Sequence, residues 1–215
     1  MALSTRAREI HTQVDKKTTK LGDLRALAKE IKKDHELALE LWSTGAFYSR
    51  QLAILVMDKK LLTQALVDRL DKDMRKHDYD ERVQLIDWLL ANQLSKDKKT
   101  IALMESWEGS KSPLQRRLFW YYQARLRWMG QTPPDNTKKL LAAIEKSIEK
   151  EKPEVQWAMN FTAGQIGIHE PAYRARCVKL GKKTGLYEDE VVSKGCTPNY
   201  LPKFIEIEVK KREKK

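Results

Sequence analysis

Residues 152–168, KPEVQWAMNFTAGQIGI, constrain the fold more than any other stretch of the chain. The proline near the start suits the first turn of a helix, and beyond the first residues only Gln156, Asn160, Thr162 and Gln165 are polar. Val155, Met159, Thr162 and Ile166 recur at helical spacing along one line, Trp157, Phe161 and Gln165 along another. Both sides therefore need cover, and the helix is a central element. Two other segments begin in a similar way. Trp42 precedes a small-residue turn and YSRQLAILVM, and Trp107 precedes EGSKSP and LQRRLFWYYQARLRWM. Three apolar helices, each after a turn and each with Gln or Arg near its start, indicate a stack of helix pairs.

With 215 residues the chain is long enough to bury a core as one domain, and 9 Gly with 7 Pro leave little room for many tight β-turns. An all-α fold follows. The formal charge of +12 predicts affinity for polyanions, nucleic acid ahead of membrane. On charge alone, lysines that are merely solvated explain the excess equally well. Two cysteines are too few for a disulfide framework or a zinc cluster, and the N-terminus has no apolar signal region, so the expected location is cytoplasmic. No apolar run approaches the roughly 20 residues that cross a bilayer.

Taken in order, residues 2–21 are polar and basic and predict one weakly amphipathic helix ended by Gly22, after which Asp23 can cap DLRALAKEIKK. Helices are expected at 35–42, at 46–57, which should be buried, and at 60–73. The charged run 71–80 reads as a solvated connector. Residues 137–150 form an outer helix, and 171–183 carry Arg174, Arg176, Lys179, Lys182 and Lys183. The stretch 192–200 is a turn-rich loop. Residues 202–209 alternate like a strand, but the leading proline and basic tail favour a helix.

The polar residues of helix 81–94 lie inside an apolar face. Gln84, Trp88 and Asn92 fall at i, i+4 and i+8, with Asp87 on an adjoining side. An Asn so placed either faces solvent or bonds a nearby backbone group. Lys96, Lys98 and Lys99 follow at the start of a short helix and can meet phosphate or water. The densest basic and aromatic segment interleaves Arg116, Arg117, Arg125 and Arg127 with Phe119, Trp120, Tyr121, Tyr122 and Trp128. The aromatics read as core. Arg116 and Arg117 sit in a first helical turn, where they can hold a phosphate together. Cys196 has no Cys–His–acid arrangement, and His77 and His169 stand isolated, so both cysteines read as structural. Without a Gly-rich loop, HExxH or CxxC, neither a cofactor nor a metal is expected.

The segments GDLRALAKEIKK, LWSTGAFYSRQLAILVMD, DWLLANQL, SPLQRRLFWYYQARLRW and EVQWAMNF…GIHEPAYRARC resemble the AlkD-type DNA alkylation repair proteins, which are built of HEAT-like helical repeats. The likeness spans about residues 22–176, and the tail VSKGCTPNYLPKFIEIEV is similar to that of a shorter branch. It implies a HEAT-like superhelix with a concave basic face holding duplex DNA and, in active members, release of 3- and 7-alkylated purines. Those members use two tryptophans and an aspartate. Here Trp88 matches the first tryptophan, Asn92 falls at the aspartate position and Phe161 at the second tryptophan position, while Gln115 and Arg116 match a Gln-Arg pair on the DNA-facing helix.

An amide cannot supply the full negative charge that stabilises a developing cationic sugar, and losing such a partner typically costs on the order of 100-fold in rate. Asp87 is the residue that could replace it. The implied site is thus Trp88, Asn92, Phe161 and Asp87 for chemistry, with Gln115, Arg116, Arg117, Arg125, Lys96, Lys98 and Lys99 for DNA. The expected assembly is a monomer, one domain over 1–215 with an N-terminal helix at 1–21 and a loop and C-terminal extension at 187–215. Two alternatives stand beside excision: a non-catalytic relative that recognises DNA structure, and a repeat protein that holds a protein partner.

Overall fold

Helix is the only regular structure among residues 3–214, the part of the chain that the computed structural model describes. Ala2, included in the expected first helix, lies outside it. The chain divides into two units, with the boundary between Trp107 and Glu108. The first holds α1 (Thr5–Val14), α2 (Leu21–Ile31), α3 (His35–Ser43), α4 (Phe47–Val56), α5 (Gln64–Met74), α6 (Tyr79–Asn92) and α7 (Lys98–Glu105). The second holds α8 (Pro113–Trp128), α9 (Thr137–Ser147), α10 (Pro153–His169), α11 (Pro171–Thr184) and α12 (Leu201–Glu213). Among the described residues no helix is long and apolar enough to cross a membrane.

In the first unit α4 is the central helix, packed by α1, α2, α3 and α6. Its sequence is almost wholly buried, Ser49, Arg50 and Gln51 included. A buried guanidinium is tolerable only when its donors are satisfied. Arg50 donates from Nε to the Trp42 carbonyl at 3.3 Å and from Nη1 to the Asp73 carbonyl at 3.0 Å, and it stands 5.0 Å from the centre of the Trp42 ring. The same Nη1 lies 2.6 Å from His77 Nε2, and His77 Nδ1 lies 2.5 Å from Glu81 Oε2. A tautomer with the proton on Nδ1 satisfies both contacts. Trp42 Nε1 donates to Asp73 at 3.1 Å. Burial pushes the Asp73 carboxyl up, but bonds from Lys76 and Trp42 and the charges of Lys76 and Arg50 more than offset this and hold it below the ordinary carboxylate range.

His77 is therefore not isolated, as its sequence neighbourhood suggested. It links α4 to the start of α6. The connector over 71–80 is also shorter than its charge pattern implied: α5 runs to Met74, and Asp71 is only 2% exposed. Gly22 does not end a helix, and Asp23 is not an N-cap. Both lie in the first turn of α2, where Asp23 Oδ2 accepts from the Lys20 N–H at 2.9 Å and so caps from inside.

In the second unit α10 is central, as its two apolar lines require, with α8, α9, α11 and α12 packed on it. Glycine makes the closest approaches. A Cβ at Gly164 would meet the Phe204 ring at 2.7 Å, one at Gly167 would meet Ile205 Cδ1 at 2.6 Å, and one at Gly181 would meet Leu201 Cβ and Pro202 Cδ, both at 2.6 Å. These three seats dock α12. The segment 202–209 is helical, within a longer α12, and the loop before it is tied down where Asn160 Nδ2 donates to the Asn199 carbonyl at 2.8 Å.

His169 closes α10 with a buried Nε2 that has no hydrogen-bond partner among the described residues. Burial above all, then the charges of Arg212 and Arg127, lower its pKa despite Glu170. The unfolded chain therefore binds the proton more readily, so the contribution of His169 to stability is present above about pH 6.5 and is lost as pH falls from there through the lower folded value. The urea midpoint should drop between pH 7 and pH 5.5, and His169→Gln should flatten that part of the profile. An unchanged slope in the variant would assign the dependence elsewhere.

Candidate nucleic-acid interface

Helix α6 begins at an N-cap, Asp78, whose side chain accepts from the Glu81 N–H at 2.9 Å, and it carries three of the expected site residues. Trp88 is half-buried. Its indole Nε1 donates to the Gln51 carbonyl of α4 at 3.1 Å, and the Arg25 guanidinium of α2 stands 5.0 Å from the ring centre. Asn92 is the last residue of α6, and its Nδ2 donates to the Trp88 carbonyl at 2.8 Å. It thereby satisfies one of the terminal carbonyls that a helix leaves without an internal partner. Of the two sequence readings of this Asn, the backbone tie is the one found. Asp87 is half-buried next to Trp88 on the helix.

Beyond α6, Lys96, Lys98 and Lys99 are exposed, the last two in the first turn of α7 under the cap Asp97, whose Oδ1 accepts from the Lys99 N–H at 3.0 Å. Lys59 joins them, its Nζ donating to the Lys96 carbonyl at 2.8 Å. Sequence reasoning passed over Lys59 and Arg25. Neither has a local signal, because each is brought to the site by tertiary packing.

The second unit holds the other expected residues. Ser112 caps α8 by accepting from the Gln115 N–H at 3.4 Å, and Pro113 opens the helix. Gln115 is buried and accepts from Ser110 Oγ at 2.8 Å. Arg116 forms a two-pronged pair with Glu151 at 3.0 and 2.7 Å and also donates to the Ser110 carbonyl at 2.7 Å. Arg117, 3% exposed, donates to the Glu154 carbonyl at 2.8 Å and lies 4.6 Å from the ring centre of Trp157 and 5.7 Å from that of Tyr121. The two arginines expected to grip one phosphate therefore bind the start of α8 to the start of α10. Arg125 is half-buried, 5.8 Å from the ring centre of Trp128, which is 49% exposed beside Met129 at 56%.

Phe161 belongs to an aromatic group on α8, α10 and α12. Its ring stacks on Trp157 at 5.1 Å with an angle of 10°, meets Tyr121 edge-on at 5.8 Å and lies 5.9 Å from Phe204. Phe119, Trp120 and Tyr122 are buried, as core aromatics should be. The i, i+4 spacing of Trp157 and Phe161 was the sequence signal for their stack, and the cation of Arg117 on the far residue of that pair was not foreseeable from it. Of the two cysteines, burial pushes the Cys177 thiol up to about 12, and Cys196 is exposed in the loop before α12.

One solved structure similar to this chain is described as "A new family of proteins related to the HEAT-like repeat DNA glycosylases with affinity for branched DNA structures". It is 20% identical, covers 98% of this chain and 90% of its own, and superposes with a TM-score of 0.69, so the fold is HEAT-like. No curated protein matches the sequence. The sequence model described as "DNA alkylation repair enzyme" matches residues 12–184, most of the chain, and the protein belongs to that DNA alkylation repair family.

Proposed function

We propose that this protein binds DNA, duplex or branched, through Lys59, Lys96, Lys98 and Lys99 of the first unit and Arg125 of the second, and that it recognises DNA structure without excising bases. One observation carries the second half of this reading: the ring of Trp88 already has a cation, Arg25, at 5.0 Å. A cationic alkylpurine would have to displace that guanidinium, a contact that contributes about 0.5–1 kcal/mol for an exposed cation such as Arg25. Asn92 adds to the argument, because its amide is engaged on the Trp88 carbonyl and carries no full charge for a developing sugar cation. The exposed lysines support the binding half, since phosphate contacts supply most of the affinity in sequence-independent recognition.

Excision is a second reading, favoured by the half-buried Asp87 beside Trp88 and by the aromatic face of Phe161. Single-turnover incubation with duplex DNA carrying 7-methylguanine decides between them, with binding recorded at two salt concentrations. The expected result is no base release above background, with affinity that falls steeply with salt. Asn92→Asp, which restores a carboxylate, should then be the variant in which release first becomes measurable. Release by the wild type that disappears in Trp88→Ala would establish a glycosylase and overturn the non-catalytic reading. Affinity indifferent to salt would favour a protein partner instead.

A further inference from the structure

Helices α9 and α11 are joined by Arg176, whose Nε and Nη2 donate to the two oxygens of Glu145 at 2.7 and 2.8 Å. Beside this pair opens a cleft of about 350 Å³ lined by Glu145, Arg176, Lys179, Leu180 and Lys183. One carboxylate faces three cations. The hydrogen bonds from Arg176 first, and then the charges of Arg176, Lys183 and Lys179, hold Glu145 below the ordinary carboxylate range, so it stays ionised and engaged at neutral pH. Neither Lys179 nor Lys183 closes a hydrogen bond or ion pair of its own among the described residues, and both are exposed.

Residues 176, 179 and 183 are spaced i, i+3 and i+7, which puts them on one face of α11. At about 1.5 Å per residue they span roughly 10 Å. Because Arg176 is committed to Glu145, Lys179 and Lys183 are the two cations of the row left to meet phosphates of a passing strand. None of these residues contributes to the lysine group of the first unit or to the Arg125–Trp128 surface. Within α10, Trp157 and Phe161 turn to Tyr121 of α8, whereas Gly167 approaches Cys177 of α11.

We infer that the α9–α11 cleft is a second phosphate-binding surface, which takes the backbone of an additional duplex arm when the DNA is branched. This inference rests on the DNA-binding reading above. Its test compares the full-length protein with the Lys179→Ser/Lys183→Ser double variant, using a labelled four-way junction and a linear duplex of equal length over a range of salt.

The double variant should lose about tenfold in junction affinity, and its log–log salt slope should fall by up to about two, close to 0.9 for each phosphate contact removed. Linear duplex binding should change by less than twofold. Unaltered junction binding would overturn the surface, and an equal loss on both DNAs would overturn the second arm by making the cleft part of a single track. If the unmodified protein binds neither DNA in a salt-sensitive way, the DNA-binding reading itself fails, an outcome distinct from failure of the variant alone.

Discussion

Glu170→Ala should lower stability by about 3–5 kcal/mol, the usual cost of leaving a buried charge without its partner. Arg127 has a side chain only 1% exposed, and its Nε donates to Glu170 at 2.6 Å. Its Nη1 donates to the Gln123 carbonyl and its Nη2 to Thr137 Oγ1, both at 2.9 Å, while Thr137 Oγ1 donates to the other Glu170 oxygen at 2.7 Å. The group connects α8, the first residue of α9 and the junction between α10 and α11. Alanine at 170 deletes the only carboxylate in it and strands the guanidinium in the core. For a chain of this length each kcal/mol moves the melting temperature by roughly 2–4 °C, so a fall of about 6–20 °C is expected in a thermal melt. Replacing both members, as in Arg127→Met/Glu170→Gln, should recover much of the loss, because no charge is then left buried. A double variant no more stable than Glu170→Ala would show that packing, and not the stranded charge, sets the cost.

The second large effect should come from Gly181→Ala. Alanine ordinarily stabilises a helix interior by up to about 1 kcal/mol over glycine, so on propensity alone the change is favourable. The added Cβ, however, falls 2.6 Å from both Leu201 Cβ and Pro202 Cδ, atoms fixed to the backbone of α12 that cannot swing aside. Overpacking of this kind costs about 1–3 kcal/mol, which outweighs the propensity gain and forces α12 outward. Gly167→Ala is the informative control: there the nearest atom is Ile205 Cδ1, the end of a flexible side chain, so a smaller loss is expected. Hydrogen exchange should show the amides of 201–213 losing protection in Gly181→Ala before those of α10. Equal stability of Gly181→Ala and the wild type would mean that α12 tolerates displacement.

Much of this architecture was legible in the sequence because periodicity records burial. The two apolar lines of 152–168 identified α10 as central, and the Trp-turn-helix recurrence indicated paired helices. Local charge patterns were less reliable, because a charged residue looks the same in a sequence whether water or a partner satisfies it. Asp71 and His77 sit in a run that reads as solvated, yet Asp71 is buried and paired with Arg75 and His77 is held between Arg50 and Glu81, while Arg116 and Arg117, placed where a helix start welcomes phosphate, bind Glu151 and the Glu154 carbonyl. The cation over Trp88 was invisible for a related reason: Arg25 and Trp88 are 63 positions apart, and nothing local to either signals the contact.

Arg25 acts on Trp88 as a tethered competitor. Because the fold holds the guanidinium against the ring, its effective concentration there exceeds the millimolar values that even short flexible linkers give. A free cation in solution at lower concentration occupies that face only rarely unless other contacts help it. Any ring that stacks on that face, charged or neutral, must first displace the same guanidinium, so the contact raises the threshold for every visitor, and a neutral ring, which gains less from the quadrupole, has less with which to meet it.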